Sequence, residues 1–212
     1  TRLQGDWSSD VCSSDLLKAT ESDPARFRTA RQPLVQDTSA KLLNLVQDVP
    51  QSEVAQDAYV WILRNGGQGA ESNVALKLMV QHFPDTPELV PLMSLIARDC
   101  PVLEQLLTKT KDKTVKGNAA FMLASRLASS NNPALEEKVV QLFTQVIDKY
   151  ADVGDAAQNP LGPQAKRQLF VVQNLSVGKV APDIYGADLD GVAFKLSDYR
   201  GKIVVLDFWG DW

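Results

Sequence analysis

Apolar residues recur at helical spacing through the middle of the chain. In residues 39–49, Leu42, Leu43, Leu45, Val46 and Val49 follow the i, i+3, i+4, i+7 pattern, which places them on one face of an α-helix. The same spacing predicts further helices at 52–66, 71–83, 86–99, 114–129, 132–150 and 164–172. The pattern therefore predicts a helical domain over residues 36–173, preceded by a linker or the start of the helical region at 17–35.

Residues that cap or interrupt helices stand at several predicted boundaries. Ser52 and Asn132 precede apolar-periodic segments and predict N-caps, while Gly66 predicts a helix end. Pro91 falls inside the helix opened by Thr86 and Pro87, so that helix is expected to start late or to kink. Pro101 is expected to stop the same helix.

A short sequence recurs within the helical region. The hexapeptide VQDVPQ begins at Val46 and VQHFPD begins at Val80, 34 residues later, with a weaker third copy, IDKYAD, at Ile147. Thirty-four residues is the helix-pair period of tetratricopeptide repeats, whose stacked pairs share one core. Most of that repeat's consensus residues are absent, so we predict a tetratricopeptide-like or generic helical-repeat layer.

The hydrophobic pattern changes after residue 175. A loop rich in Gly, Pro, Asn and Asp occupies 151–163, and extended sequence begins near Val177. The DLDG tetrapeptide at 188–191 predicts a turn between two strands, and SDYRGK at 197–202 predicts a second break. IVVLDFW at 203–209 is typical of a central buried strand. The predicted fold class is mainly α, followed by the first β-elements of an α/β domain at 174–212.

Composition and charge exclude several classes of function. The net charge of −4 gives no electrostatic basis for nucleic-acid binding, and we interpret Arg26, Arg28 and Arg31 as a solvated face. No apolar run approaches the length of a membrane span. One histidine and two distant cysteines fit neither a metal centre nor a disulfide framework.

The residues of the helical region that could carry chemistry have simpler interpretations. His82 stands near a helix end with no partner placed by the sequence, so we expect an ordinary residue of a last helical turn. Cys100 has no nearby cysteine that could resolve a disulfide, and we expect a small buried apolar group. Tyr59 and Trp61 are expected on a core-facing helix surface.

Three blocks near the C-terminus carry a resemblance to a known family. Ala-Pro-Asp at 181–183, Leu-Ser-Asp-Tyr-Arg-Gly-Lys at 196–202 and Asp-Phe-Trp-Gly-Asp-Trp at 207–212 occur in that order. Together they resemble the N-terminal third of a thioredoxin-like domain of the TlpA-like and redoxin (AhpC/TSA) type. The motif positions in this chain are Pro182, Asp183, Ser197, Gly201, Lys202, Asp207, Phe208, Trp209 and Trp212. A helical region before such a domain also resembles a recurring layout of this family.

The resemblance implies a thiol–disulfide oxidoreductase acting on protein disulfides or a redox partner protein. In the family a Cys-x-x-Cys follows the position of Trp212, flanked by Trp209 and Trp212, and Asp207 is a candidate to assist proton transfer. A peroxiredoxin is the alternative enzyme, and a helical-repeat interaction module is the alternative of another class. The resemblance implies no cofactor, no metal and an extracytoplasmic, bacterial location. The chain as written is expected to be inactive.

Both ends of the chain carry expectations about their origin. Asp6–Leu16 agrees in all eleven residues with one reading frame of a common sequencing-adapter strand, so residues 1–16 are interpreted as an artefact that includes Cys12. The chain is interpreted as truncated just before the Cys-x-x-Cys, either by the end of a read or by a selenocysteine codon taken as a stop.

Overall fold

A computed structural model describes residues 24–155 and 159–207, with side chains from residue 31 onward. Within these ranges the protein is mainly helical and ends in a small two-stranded sheet. The helices are α1 (Pro24–Val46), α2 (Glu53–Asn65), α3 (Ala70–His82), α4 (Met93–Ile96), α5 (Cys100–Lys109), α6 (Lys113–Ala128), α7 (Glu136–Lys149) and α8 (Leu161–Asn174). Short 3-10 turns occupy Pro87–Leu89, Pro133–Leu135 and Leu196–Tyr199.

Several predicted helix boundaries are confirmed by hydrogen bonds at the caps. The Ser52 hydroxyl accepts the Ala55 N–H at 3.1 Å at the start of α2, and Gly66 is the C-cap that follows its last residue, Asn65. The Asn132 side chain accepts the Ala134 N–H at 3.1 Å, although it opens a 3-10 turn and α7 begins only at Glu136. The helix after Pro91 starts late, at Met93, as expected.

The prediction for Pro101 was wrong. Pro101 does not stop a helix but lies in the first turn of α5, whose N-cap Asp99 accepts the Val102 N–H at 3.2 Å. A proline at this position loses nothing, because the first amides of a helix have no intrahelical acceptor. Asp99 directly before Cys100-Pro101 is the start signal that the sequence interpretation overlooked.

α1 begins earlier than the helical pattern predicted. Its backbone is helical from Pro24, within the segment expected to be a linker or the start of the helical region, and it includes Pro33. The helix continues through Pro33 even though a proline removes one backbone hydrogen bond. α1 is thus the longest helix of the described residues, and its N-terminal half precedes the residues that pack into the core.

The helices enclose two adjoining apolar cores. The first core is built from residues of α1 through α6 and includes the fully buried side chains of Tyr59, Met79 and Leu103. The second lies between α6, α7 and α8 around Phe143. Leu127 is one of the side chains that pack against both cores, so α6 joins them into a continuous layer.

The repeated hexapeptides occupy similar structural positions. Val46 ends α1 and Val80 lies in the last turn of α3, and both side chains are buried in the first core. Each is followed by a turn that leads into the next helical element. The tetratricopeptide-like identity of the region stays a prediction, because similar ends on two helices do not specify that repeat.

The sheet is a β-hairpin of β1 (Tyr185–Ala187) and β2 (Ala193–Lys195) in which Gly186 pairs with Phe194. The predicted turn is confirmed. The Asp188 carboxylate accepts the N–H groups of Asp190 at 3.0 Å and Val192 at 2.9 Å, and Gly191 has a φ of +78° that favours glycine.

The prediction of a buried strand at 203–209 was wrong for its described part. Residues 203–207 form no strand, and Ile203 and Val205 are 100% and 88% exposed. A strand needs a hydrogen-bonding neighbour, and the two described strands pair only with each other. All five of these residues are exposed, so this part of the segment does not pack on the helical body.

The described helices give no membrane-spanning segment. None of those within residues 24–155 and 159–207 combines the length and the apolar character that a bilayer crossing needs.

Candidate functional site

The β-hairpin brings two of the three motif blocks into direct contact. The Ser197 N–H donates to Asp183 Oδ1 at 2.8 Å and its hydroxyl donates to Asp183 Oδ2 at 2.7 Å. Next to them the Leu196 N–H donates to the Ile184 carbonyl at 2.9 Å, which continues the pairing of the hairpin. Asp183 therefore holds the beginning of the 3-10 turn against the strand that follows Pro182.

These hydrogen bonds shift the titration of Asp183. The donors of Ser197, its hydroxyl first, stabilise the carboxylate and lower the pKa of Asp183 below its ordinary range. Because the pKa is lower in the folded state, the contribution of Asp183 to stability is complete above about pH 4, the ordinary aspartate value. It is lost as the pH falls through the folded-state pKa.

We therefore predict an acid-dependent opening of this turn. In an NMR titration of the full chain from neutral to acidic pH, the Ser197 amide resonance should move with a midpoint below about 4, the ordinary aspartate value. The Asp183→Asn variant should lack that step. The local amide is the proper readout, since the pKa of Asp85 is also lowered, by the backbone N–H of Lys111 and the Thr110 hydroxyl. An unchanged titration in Asp183→Asn would contradict the assignment.

The rest of the second motif block forms a compact turn. The Asp198 carboxylate accepts the Lys195 N–H at 3.1 Å. The Tyr199 ring packs edge-on against Phe194, with 6.4 Å between ring centroids, and the Lys202 ammonium lies 5.8 Å from the centre of the Tyr199 ring. Gly201 has a φ of +86°, which lets the chain reverse before Lys202. These contacts position the exposed segment that begins at Ile203.

The third motif block is only partly visible. Asp207 lies in the exposed stretch after Lys202 and belongs to no strand. Phe208, Trp209 and Trp212 lie outside the described residues. The contact between the first two blocks is thus the geometric core of the candidate site, and the aromatic residues stay a prediction.

The described cysteine does not lie in the hairpin. Cys100 is half-buried in the first turn of α5, beside a cavity of about 520 Å³ that Ser72 and Arg98 also line. No second cysteine lies within the described residues, and they contain no cluster of side chains that could hold a metal ion. Cys12 lies outside them. This cavity therefore lacks the pair of thiols that disulfide exchange requires.

The remaining candidate residues have structural roles. His82 is the last residue of α3, as expected. Tyr59 is fully buried in the first core, but Trp61 is 37% exposed on another side of α2. The prediction that both aromatics face the core was therefore wrong for Trp61, which lines a groove between α1 and α2. The apolar periodicity did not predict that groove, because α1 carries apolar residues on its exposed side as well as on its buried side.

Comparison with curated proteins finds short similarities to thiol–disulfide oxidoreductases. The chain is 53% identical over 38 residues to the thiol–disulfide oxidoreductase ResA of Geobacillus thermodenitrificans. It is 55% identical over 38 residues to ResA of Geobacillus kaustophilus, and 42% identical over 40 residues to ResA of Bacillus thuringiensis. The aligned residues are 18–19% of this chain and 22–23% of each relative.

The chain thus spans less than a quarter of the length of the curated relatives that it matches. No protein-family model matches it, and no solved structure matches it. What the comparisons support is a similarity to thiol–disulfide oxidoreductases that is restricted to one short stretch.

Proposed function

We propose that residues 174–212 are the beginning of a thioredoxin-like domain and that the complete protein is a thiol–disulfide oxidoreductase. The observation that carries the proposal is the pair of hydrogen bonds between Asp183 and Ser197. It gives a structural purpose to two polar motif residues that stand 14 residues apart. The short similarity to ResA proteins supports the same activity.

The chemistry requires two thiols beyond Trp212. A thiolate at a helix N-terminus attacks a protein disulfide and forms a mixed disulfide with one substrate sulfur. The second thiol then displaces the substrate, which leaves with two reduced thiols while the enzyme is left with a disulfide. In this proposal Trp209 and Trp212 flank the thiols, and Asp207 assists proton transfer to the second one.

The proposal extends to the surroundings of the domain. Residues 36–173 form its helical N-terminal region, and the complete protein works outside the bacterial cytoplasm on protein disulfides or a redox partner. It uses neither a metal nor an organic cofactor, since the two thiols carry the electrons.

The first test is to extend the sequence of the gene beyond the codon of Trp212. Codons for Cys-x-x-Cys would support the proposal, and codons for Thr-x-x-Cys would favour a peroxiredoxin. A TGA codon in place of the first cysteine codon would point to selenocysteine.

The second test is a functional exchange. In ResA of Geobacillus thermodenitrificans, the matching 38-residue segment is replaced by the corresponding residues of this chain. The chimera should reduce insulin disulfides at a rate within about tenfold of ResA, an allowance for imperfect packing at the joins. A chimera that folds but lacks activity would contradict the proposal. The same chimera with Ser197→Ala should lose stability and keep its reaction chemistry.

The 212-residue chain itself should not reduce insulin disulfides in the presence of a thiol donor. The Cys100→Ser variant is the control, because it shows whether any residual rate comes from this cysteine. A rate above the donor-only background in the Cys100→Ser variant would contradict the assignment of the chemistry to thiols beyond Trp212.

A further inference from the structure

An exposed apolar stripe runs along one side of α1. Leu34 and Leu45 are 65% and 70% exposed, and Thr38 and Leu42 lie between them at helical spacing. Val49 continues the stripe just past the end of the helix. Steps of three and four residues are those of a helix that packs lengthwise against another helix. In the described part of the chain, nothing covers Leu34 or Leu45.

Together with α2, the C-terminal half of this stripe forms a groove. A cavity of about 410 Å³ lies between Leu42, Leu45 and Val46 of α1 and Val54, Ala58 and Trp61 of α2. Its polar lining consists of Thr38 and Asp57. Two neighbouring helices joined by a short loop present a trough into which the side chains of a third helix pack.

One end of the groove is acidic, whereas the N-terminal half of α1 is basic. Asp48, Glu53 and Asp57 stand where α1 meets α2, and none has a basic partner among the described residues. The nearby cations are already paired, Lys41 with Asp37 and Arg64 with Glu88, each at 2.7 Å.

The N-terminal half of α1 is basic instead. Residues 24–36 contain Arg26, Arg28 and Arg31 and no acidic residue. These like charges repel one another. This arrangement costs less when acidic groups of another molecule lie close to it.

We propose that a second copy of this chain occupies the groove, with the two α1 helices packed antiparallel about a twofold axis. With Leu34 of one copy opposite Leu45 of the other, the same register places Arg31 opposite Asp48. A twofold axis makes each of these contacts occur twice. The basic half of each α1 then lies over the acidic end of the partner's groove, and the apolar stripes cover each other.

The charge pattern favours this occupant over an anionic membrane. Asp48, Glu53 and Asp57 would repel phospholipid head groups at the end of the groove. A basic helix satisfies both the acidic end and the apolar lining, and this chain carries such a helix itself.

The test begins with the mass of the full chain in solution. Sedimentation velocity and light scattering over a range of concentrations should show a monomer–dimer equilibrium that shifts toward monomer at high salt. Leu45→Asp should abolish the dimer, while Val74→Asp, an equally drastic change at an exposed site on α3, should not. Circular dichroism checks that both variants fold. A chain that is monomeric throughout, or a dimer that survives Leu45→Asp, would overturn the proposal.

A charge exchange tests the register. Arg31→Asp and Asp48→Arg should each weaken the dimer by about tenfold or more, since each creates two like-charged contacts. The double variant should recover most of the affinity. Arg31 also donates to the Asn65 side chain at 2.6 Å, so Asn65→Ala serves as the control and should leave the dimer intact. Failure of the double variant to recover would overturn the proposed register.

Discussion

Replacing Phe143 with alanine is expected to lower the free energy of unfolding by about 3–5 kcal/mol. Phe143 is fully buried in the second core, and its ring packs edge-on against Phe121 with 6.0 Å between ring centroids. Alanine removes the apolar surface and leaves a cavity between α6 and α7 that rigid helices fill only in part. Denaturation of the full chain in urea, followed by circular dichroism, measures the loss.

The matched control is Phe170→Ala. Phe170 lies in α8, which packs against the same core, but its side chain is 50% exposed. The identical chemical change should therefore cost well under the core value, about 1 kcal/mol or less. Equal losses for the two variants would show that α6, α7 and α8 do not enclose Phe143 as described.

Gly162→Ala is expected to lower the free energy of unfolding by about 1–3 kcal/mol, although alanine usually stabilises a helix relative to glycine. A Cβ at this position would lie 2.7 Å from the Cβ of Ala151 and 3.0 Å from its Cα and carbonyl oxygen. The Gly162 N–H also donates to that carbonyl at 3.1 Å, so backbone must move to make room. Because Gly162 is the second residue of α8, little helix propensity is gained in return.

A second substitution separates this crowding from other causes. Ala151→Gly removes the nearest contact. The double variant Ala151→Gly/Gly162→Ala should therefore lose less unfolding free energy than the two single variants lose in sum. Contacting residues typically couple by about 0.5–3 kcal/mol. Strict additivity in the urea denaturation of the four proteins would rule out crowding at Ala151 as the cause.

Most of the helical fold follows from the order of polar and apolar residues. Local signals fix the ends of α2, because Ser52 and Gly66 act through backbone groups within one turn. The error at Pro101 arose from a residue with two meanings, since proline both ends helices and begins them. Asp99 decides between the two by capping α5. The choice depends on one side-chain hydrogen bond, which periodicity does not register.

The strand prediction at 203–209 failed for a different reason. An apolar, β-branched run expresses a preference for a pleated, covered surface. Among the described residues no strand stands beside Ile203. The sequence pattern of 203–209 indicates that this segment needs a neighbouring strand, but it does not show whether one is present.

The candidate site was predictable residue by residue but not as an arrangement. The motif pointed to Asp183 and Ser197 separately, and the hairpin turn between them was evident from DLDG. The pairing of the two side chains depends on the register in which Gly186 faces Phe194. That register follows from the length of the turn together with Gly191, whose backbone conformation the sequence suggests only indirectly.

The connection between α8 and the hairpin limits the distance between the helical region and the hairpin. Ten residues separate Asn174 from Tyr185, and fully extended they reach about 35 Å. The ion pair of Lys179 with Glu136, at 2.6 Å, fastens the middle of this connection to α7, though exposed pairs of this kind are weak. A polypeptide bound to the helices would therefore meet the hairpin at an effective concentration on the order of millimolar. At that concentration even a low-affinity encounter between the two becomes frequent.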